Sequence, residues 1–450
     1  MRLQKCFEMQ MADVKVMKTA AELGLAAEWE QVKDRLPGPA DLREHAFQRF
    51  AAQGLPHRRV EEWKYTDLRA LMRDAKPLAA PPDAAALDRA RNAGSLLDDV
   101  ACRRIVFVDG VFVAELSDLA GLEQGLTIRS MAQALAEGDA LIDAHLGRVV
   151  PVERDPAVAL NTAFMGDGAL IHVAANASVE RPLNLVFMTA SDSPAAMFMR
   201  SLIVVEEGAR VMVIESHEAA GASDYQVNAA LELSVADGAH IDHVKIIGEA
   251  ENALHISTLM AKVGAHARFN DFSFIIGGGV VRNQLYVHFH GNETVAGIRG
   301  VNLLKDKQHA DTTMVVDHNS VGCQSRELFK SVLDGESRGV FQGKIIVRPH
   351  AQQTDGKMAT HALLLSENAE ADNKPELEIF ADDVQCGHGA TAGDLDEDLL
   401  FYLRSRGIPA KEAEALLIQA FIGEAVEGIE HARLRDVLME KVVAWLKERD

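Results

Sequence analysis

Residues 201–247 read SLIVVEEGARVMVIESHEAAGASDYQVNAALELSVADGAHIDHVKII, and the punctuation of this stretch decides the fold. Runs rich in β-branched and apolar residues (201–205, 210–215 and 240–247) are interrupted by Gly-Ala pairs at Gly208 and Ala209 and at Gly238 and Ala239. The pair recurs at Gly264 and Ala265, so the spacing is 30 residues (208 to 238) and then 26 (238 to 264). A period of that size marks stacked supersecondary units. Strong helix signals are missing between Pro156 and Val384, which disfavours a sheet covered by helices on both faces. The reading is mainly β: a parallel β-helix in which each coil buries its apolar side against the next. A β-sandwich is the alternative, and the scarcity of tight hairpin signals argues against it.

Outward from this core the period changes on both sides. Toward the N-terminus, Ala20, Ala21, Leu23, Ala26 and Trp29 recur at helical spacing, as do Leu68, Leu71 and Met72. The Pro-rich residues 76–82 read as a linker, because Pro cannot continue a helix. Residues 104–116 turn to a strand pattern centred on Asp109 and Gly110, the signature of a hairpin with a primed turn. Toward the C-terminus, Asp396 caps a helix through Leu399, Leu400 and Leu403 that ends at Gly407, with Pro409 opening the next. Two apolar stripes follow, Leu416, Leu417, Ala420 and Phe421, then Leu434, Leu438, Val442, Trp445 and Leu446. The expected division is an N-terminal helical region over 1–100, a connecting β/α segment over 101–155, the β-helix over 156–393 and a C-terminal helical domain over 394–450.

Composition narrows the partners. The chain has 450 residues, 48% of them hydrophobic and 25% charged, which suits a globular protein with a sizeable core. A formal charge of −21 repels phosphate backbones and anionic membranes, so neither nucleic acid nor membrane is expected as a partner. Cys6, Cys102, Cys323 and Cys386 lie too far apart for a zinc motif, a redox motif or a disulfide framework. The N-terminus lacks the apolar stretch of a signal peptide, and the location expected is the reducing cytoplasm. Met11 is an alternative start to Met1.

Phosphate motifs fail. Residues 339–344 (GVFQGK) have three residues between the glycines and continue into Ile345, so they are not a nucleotide-binding loop. No metalloprotease, nucleophile-elbow or kinase signature occurs. Among 17 histidines, His288 and His290 share one face of a strand but have no third ligand in view. His240 and His243 should face opposite ways, and His309, His318 and His361 read as surface or loop residues.

Residues 374–394 (KPELEIFADDVQCGHGATAGD) stand out. Cys386 and His388 lie at i and i+2, flanked by Gly387 and Gly389, which allow close backbone approach. Thiolate with imidazole suits iron or an iron–sulfur cluster, yet two ligands cannot hold one alone.

This segment, LLLSENAEADNKPE upstream of it, DEDLLFYLRSRG at 396–407 and GLPHRRVEEWKYTDL at 54–68 resemble the SufB/SufD family of iron–sulfur cluster assembly scaffold proteins. The wording at Gly387–Thr391 is similar to the SufD branch of the family. The resemblance implies a right-handed parallel β-helix between two helical regions, and a heterodimer with a SufB-type subunit through the β-helices. It implies a SufC-type ATPase on the C-terminal helices, where Phe401, Leu403, Arg404, Arg406 and Gly407 form the expected docking surface. His388 matches the family histidine at the interface where a cluster forms, and Cys386 a neighbouring cysteine. The chain would then be no enzyme. It would hold no cofactor tightly by itself, and would share a transient iron–sulfur cluster with its partner. A β-helical carbohydrate-active enzyme is the alternative, weakened by an aromatic content of 5%. A stand-alone homodimeric iron-binding or structural protein is another, since an exposed β-helix edge lets the isolated chain pair with a second copy.

Overall fold

A computed structural model describes residues 17–150, 155–221 and 223–449, so Cys6 and the choice between Met1 and Met11 lie outside the described residues. The chain forms a parallel β-helix with two long sheets, one of ten strands and one of nine. It alternates between them. Ala195–Val205 lies in the nine-stranded sheet and Arg210–Ala219 in the ten-stranded one; Tyr225–Val235 then returns beside the first, pairing Tyr225 with Ala195. Side chains alternate in and out along each strand. Val211 and Val213 belong to the inner core, whereas Met212 and Ile214 face an outer layer.

The Gly-Ala punctuation becomes the corners. Gly208 and Gly238 take φ of +66° and +65°, left-handed backbone that glycine enters without a Cβ penalty. The third corner departs from the pattern. Its left-handed residue is His266 (φ +54°), two positions after Gly264, because the hydrogen bonds rather than the dipeptide set the register. The N–H of Gly208 donates to Asp237 O (3.0 Å), that of Gly238 to Ala265 O (2.8 Å) and that of His266 to Asn292 O (2.8 Å).

One end of the solenoid is closed. Arg103–Val108 and Val111–Phe112 form the hairpin, with positive φ at both Asp109 and Gly110 as a primed turn requires. Leu126–Ser130 lies antiparallel on Ala169–Val173 and closes the other sheet. Strands from the 101–155 segment thus join both sheets, and Pro156–Phe164 is a fully buried helix. The opposite end is open: Glu370–Ile379 and Val384–Gly393 are the terminal strands of their sheets.

Helices cover the flanks. Ala20–Val32 begins with a capping box between Thr19 and Glu22. It packs with Ala40–Gln53 and Pro156–Phe164 against Phe198, Leu254 and Ile256 of the nine-stranded sheet. Trp29 stacks on Phe47 with ring centroids 4.8 Å apart. The Pro-rich segment is no free tether, since Ala79 N donates to Ala196 O (2.9 Å) and Ala196 N to Pro77 O (2.8 Å). Of the strand Ala195–Val205, Ala169–Val173 covers only the Leu202–Val205 end, which leaves an edge beside Ala196 that this segment fills.

Ala410–Val426 and Ala432–Glu448 lie along the outer face of the ten-stranded sheet, packing Ile418, Ile422, Leu434 and Leu438 on Val244, Phe272 and Val301. The stripe on the last helix is the buried one. On the preceding helix the buried face is Ala413, Ile418, Ile422, Ala425 and Val426, while Leu416 is 42% exposed. That helix is apolar on most sides, so periodicity could not single out the buried face. These helices flank the solenoid and leave its last coil bare. Among the described residues, no helix is long and apolar enough to cross a membrane.

Candidate functional site

The last ladder positions Cys386 and His388. Val384–Gly393 runs parallel to Thr354–Leu364, pairing Cys386 with Gly356 and His388 with Met358. Met358 is a buried member of the inner core, so strand alternation turns both Cys386 and His388 toward the interior face of the coil. Cys386 is half-buried against the core, and His388 is exposed because among the described residues no further coil covers it. A Cβ built on Gly387, Gly389 or Gly393 meets nothing within 4 Å, so packing within this chain does not demand these glycines. They keep the strand surface low.

The facing wall of the same coil is Glu370–Ile379. Its residues Asn373, Leu377 and Ile379 pair with the core residues Phe341, Ile345 and Val347 and therefore point inward too. The Thr360 hydroxyl donates to Asn373 Oδ1 across the coil at 2.9 Å. Beside this wall Phe380 is 58% exposed. The open end thus combines apolar side chains, a thiol and an imidazole.

Electrostatics favours the neutral thiol in this chain alone. Burial pushes the Cys386 pKa up, the Gly356 backbone holds it down, and the carboxyls of Asp355 and Glu327 raise it further. Glu327 pairs with Met358, one strand inward from His388. It is buried with both oxygens lacking a hydrogen-bond partner among the described residues. Burial, opposed only weakly by Ser325 and Arg326, raises its pKa to about 8. A cation or an added donor at the open end would draw such a carboxyl toward ionisation.

The second group of expected site residues lies on a different element. Asp396 accepts from Leu399 N and starts the helix Glu397–Ser405, which has no buried residue, and Gly407 follows at φ +86°. Phe401 is 73% exposed, Leu403 is half-buried, and Arg404 and Arg406 are exposed. The Arg406 guanidinium sits 5.1 Å from the centre of the Tyr402 ring. Leu399 and Tyr402 of the same helix are exposed as well, at 51% and 53%.

The remaining histidines divide. The His288 and His290 rings lie 6.1 Å apart, and His288 faces Asp317, a carboxylate already held by Arg348 at 2.8 Å. His243 faces inward, buried between Glu215 and Asp271, while His240 is partly exposed. His318 is not a surface residue: it is buried and bonded to the Ser325 hydroxyl at 2.9 Å. Its strand position put it in the interior, which an isolated His does not reveal. His309 meets the Thr66 hydroxyl at 2.9 Å and His361 the Thr391 hydroxyl at 2.7 Å.

A cavity of about 610 Å³ lies elsewhere, between Trp63, Tyr286 and Lys344, and includes neither Cys386 nor His388. Cys386 and His388 lie outside this cavity, on the edge of the last strand.

Comparison with known proteins gives a single answer. Residues 187–421 match the model described as SUF system FeS cluster assembly, SufBD core domain, and residues 34–185 match the SufBD protein N-terminal region. The iron-sulfur cluster assembly protein SufD of Escherichia coli is 31% identical over 401 residues, covering 88% of this chain and 90% of that protein. An iron-sulfur cluster assembly SufBD family protein of Synechocystis is 31% identical over 409 residues, 89% of each chain. A SufBD family protein of Mycobacterium tuberculosis is 29% identical over 394 residues, 85% of this chain and 87% of the relative. With family models matching both the flank and the solenoid, the chain belongs to the SufBD family of iron–sulfur cluster assembly proteins of the SUF system.

Proposed function

We propose that this chain is a non-catalytic scaffold subunit in the cytoplasm. It shares a cluster-assembly site with a SufB-type partner and docks a SufC-type ATPase on its C-terminal helices. The observation that carries the reading is the bare last coil, with His388 exposed and Cys386 half-buried on one face of a terminal strand whose outer edge has no neighbour among the described residues. Unpaired strand edges attract another sheet, whose N–H and C=O groups complete the ladder. A cluster generally takes four protein ligands, and this edge offers two, so a subunit laid against it supplies the rest. The cluster is then a transient cargo held between chains. The missing phosphate loop assigns nucleotide chemistry to the ATPase partner. The exposed helix Glu397–Ser405, with arginines around Phe401, has the composition of an interface anchor.

Affinity isolation of the tagged chain from its native cells, followed by mass spectrometry, tests this. A SufB-type subunit and an ATPase should be recovered together. Recovery of the chain only with further copies of itself would replace the reading by a homodimer that uses the same edge.

A further inference from the structure

We infer that the solenoid interior holds a second, closed metal site, in which His217, Glu249 and His255 bind one divalent first-row transition cation.

The three residues come from different parts of two coils. His217 lies on Arg210–Ala219 of the ten-stranded sheet, His255 on Leu254–Val263 of the nine-stranded sheet, and Glu249 in the corner just before the latter. Strand alternation turns both histidines inward: His217 follows Val211 and Val213 on the core face, and His255 precedes Leu259 and Ala261 on theirs. All three side chains are buried, with His217 and His255 at 0% exposure. One ligand atom from each lies within 4.8 Å of the others. Tetrahedral ligands at zinc distances stand about 3.4 Å apart, so a small contraction closes the set.

The cluster is under-bonded without a cation. Among the described residues neither ring nitrogen of His217 has a hydrogen-bond partner, nor does Nε2 of His255. A buried polar atom left without a partner is costly, and a buried imidazole with two is rare. His255 Nδ1 lies 3.0 Å from Glu249 Oε1, and the Tyr225 hydroxyl donates to the other carboxylate oxygen while accepting from Ala250 N at 3.0 Å. Tyr225 therefore orients the carboxylate from behind, as outer partners do around metals. The two imidazoles meet edge to face with centroids 4.6 Å apart, and His217 stacks on Phe187 at 4.9 Å, so neither ring is free to turn away. Burial, with His255 beside it, holds the His217 pKa far below its ordinary value, leaving the neutral imidazole that a metal needs.

The donor set selects the cation. Two imidazole nitrogens and one carboxylate oxygen suit zinc and its first-row divalent neighbours; calcium and magnesium prefer oxygen alone, and soft copper(I) prefers sulfur. Since the site is enclosed, loading accompanies folding. It lies on coils remote from the strand carrying Cys386 and His388 and does not depend on that edge.

The test uses the full untagged chain, unfolded, stripped with a chelator, refolded with zinc(II) or cobalt(II), and desalted. The wild type should retain about one metal per chain, as should a Cys386→Ser/His388→Ala variant and a His240→Ala variant. Metal should raise Tm by at least ~3 °C. His217→Leu and His255→Leu should retain none and lose that rise. Stripped His217→Leu should melt no lower than the stripped wild type, because it removes an unpartnered buried ring. Should a Leu variant fail to fold, X-ray absorption on the cobalt wild type decides, with two imidazoles and no sulfur expected. Retention that follows Cys386, His388 or His240, sulfur in the shell, or no metal above the Leu variants overturns the inference.

Discussion

His388 stands directly opposite Met358 in the last parallel ladder, the imidazole exposed and the thioether 2% exposed in the core beneath it. One step along the stack separates a residue that holds the fold from one that does not.

That contrast sets the first prediction. His388→Ala removes a side chain that buries little and should leave Tm within about 1 °C of wild type. Met358→Ala should cost about 2–5 kcal/mol, as a buried Met does. If the proposed site is right, His388→Ala cells that depend on this system should lose iron–sulfur enzyme activity, measured on a cluster-containing dehydrogenase. A large Tm loss with normal enzyme activity would reverse the roles.

Glu327 gives a pH signature. Its folded pKa is about 8, against an ordinary 4.5. Between those values the unfolded chain has released the proton that the folded chain retains, so stability from this group is full below pH 4.5 and is lost as pH rises toward 8. The slope is at most about 1.4 kcal/mol per pH unit. Glu327→Gln should match wild type near pH 5 and melt higher than wild type at pH 8. Equal pH slopes in urea titrations of the two proteins would contradict this.

The N-terminal helical region is locked to the solenoid by a buried charge pair. Asp311 accepts from both Arg282 and Thr66, Arg282 donates to Glu62 O at 2.7 Å, and its guanidinium lies 4.5 Å from the Trp63 ring. Asp311→Ala strands a buried guanidinium and should cost about 3–5 kcal/mol. Replacing both Asp311 and Arg282 by apolar residues should cost less than Asp311→Ala alone, read from denaturant midpoints as a double-mutant cycle.

Docking of the ATPase is testable without truncation. Arg404→Glu with Arg406→Glu changes only exposed side chains, so Tm should hold. Co-purification of the ATPase should fall at least tenfold. Full yield with this variant would place docking on another surface.

The solenoid was legible because strand period and corner signals repeat, and repetition makes weak local evidence additive. The hairpin at Asp109 and Gly110 was readable for a different reason: positive φ at two adjacent positions leaves few residue choices. Cys386 and His388 were visible through their spacing and glycine flanks. The interior set was not. His217, Glu249 and His255 are separated in sequence and meet only because corners fix which coil lies on which, a relation no local pattern encodes. Gly264 marks its corner as the sequence suggested, but the left-handed residue there is His266, whose N–H meets the neighbouring coil's carbonyl at Asn292. Leu416 shows the converse limit: an apolar helix carries no mark of the side its neighbours will cover.

The closed end of the solenoid also gives synthesis a direction. The hairpin that caps it, Arg103–Phe112, leaves the ribosome long before Val384–Gly393, and domains begin to fold while the chain is still growing. Each coil then finds a finished edge to dock on as it emerges. The edge that bears Cys386 and His388 is the last solenoid strand to be laid down, so a chain terminated before Val384 never carries that pair. Translation itself thereby reserves that pair for chains in which every strand of the solenoid has been made.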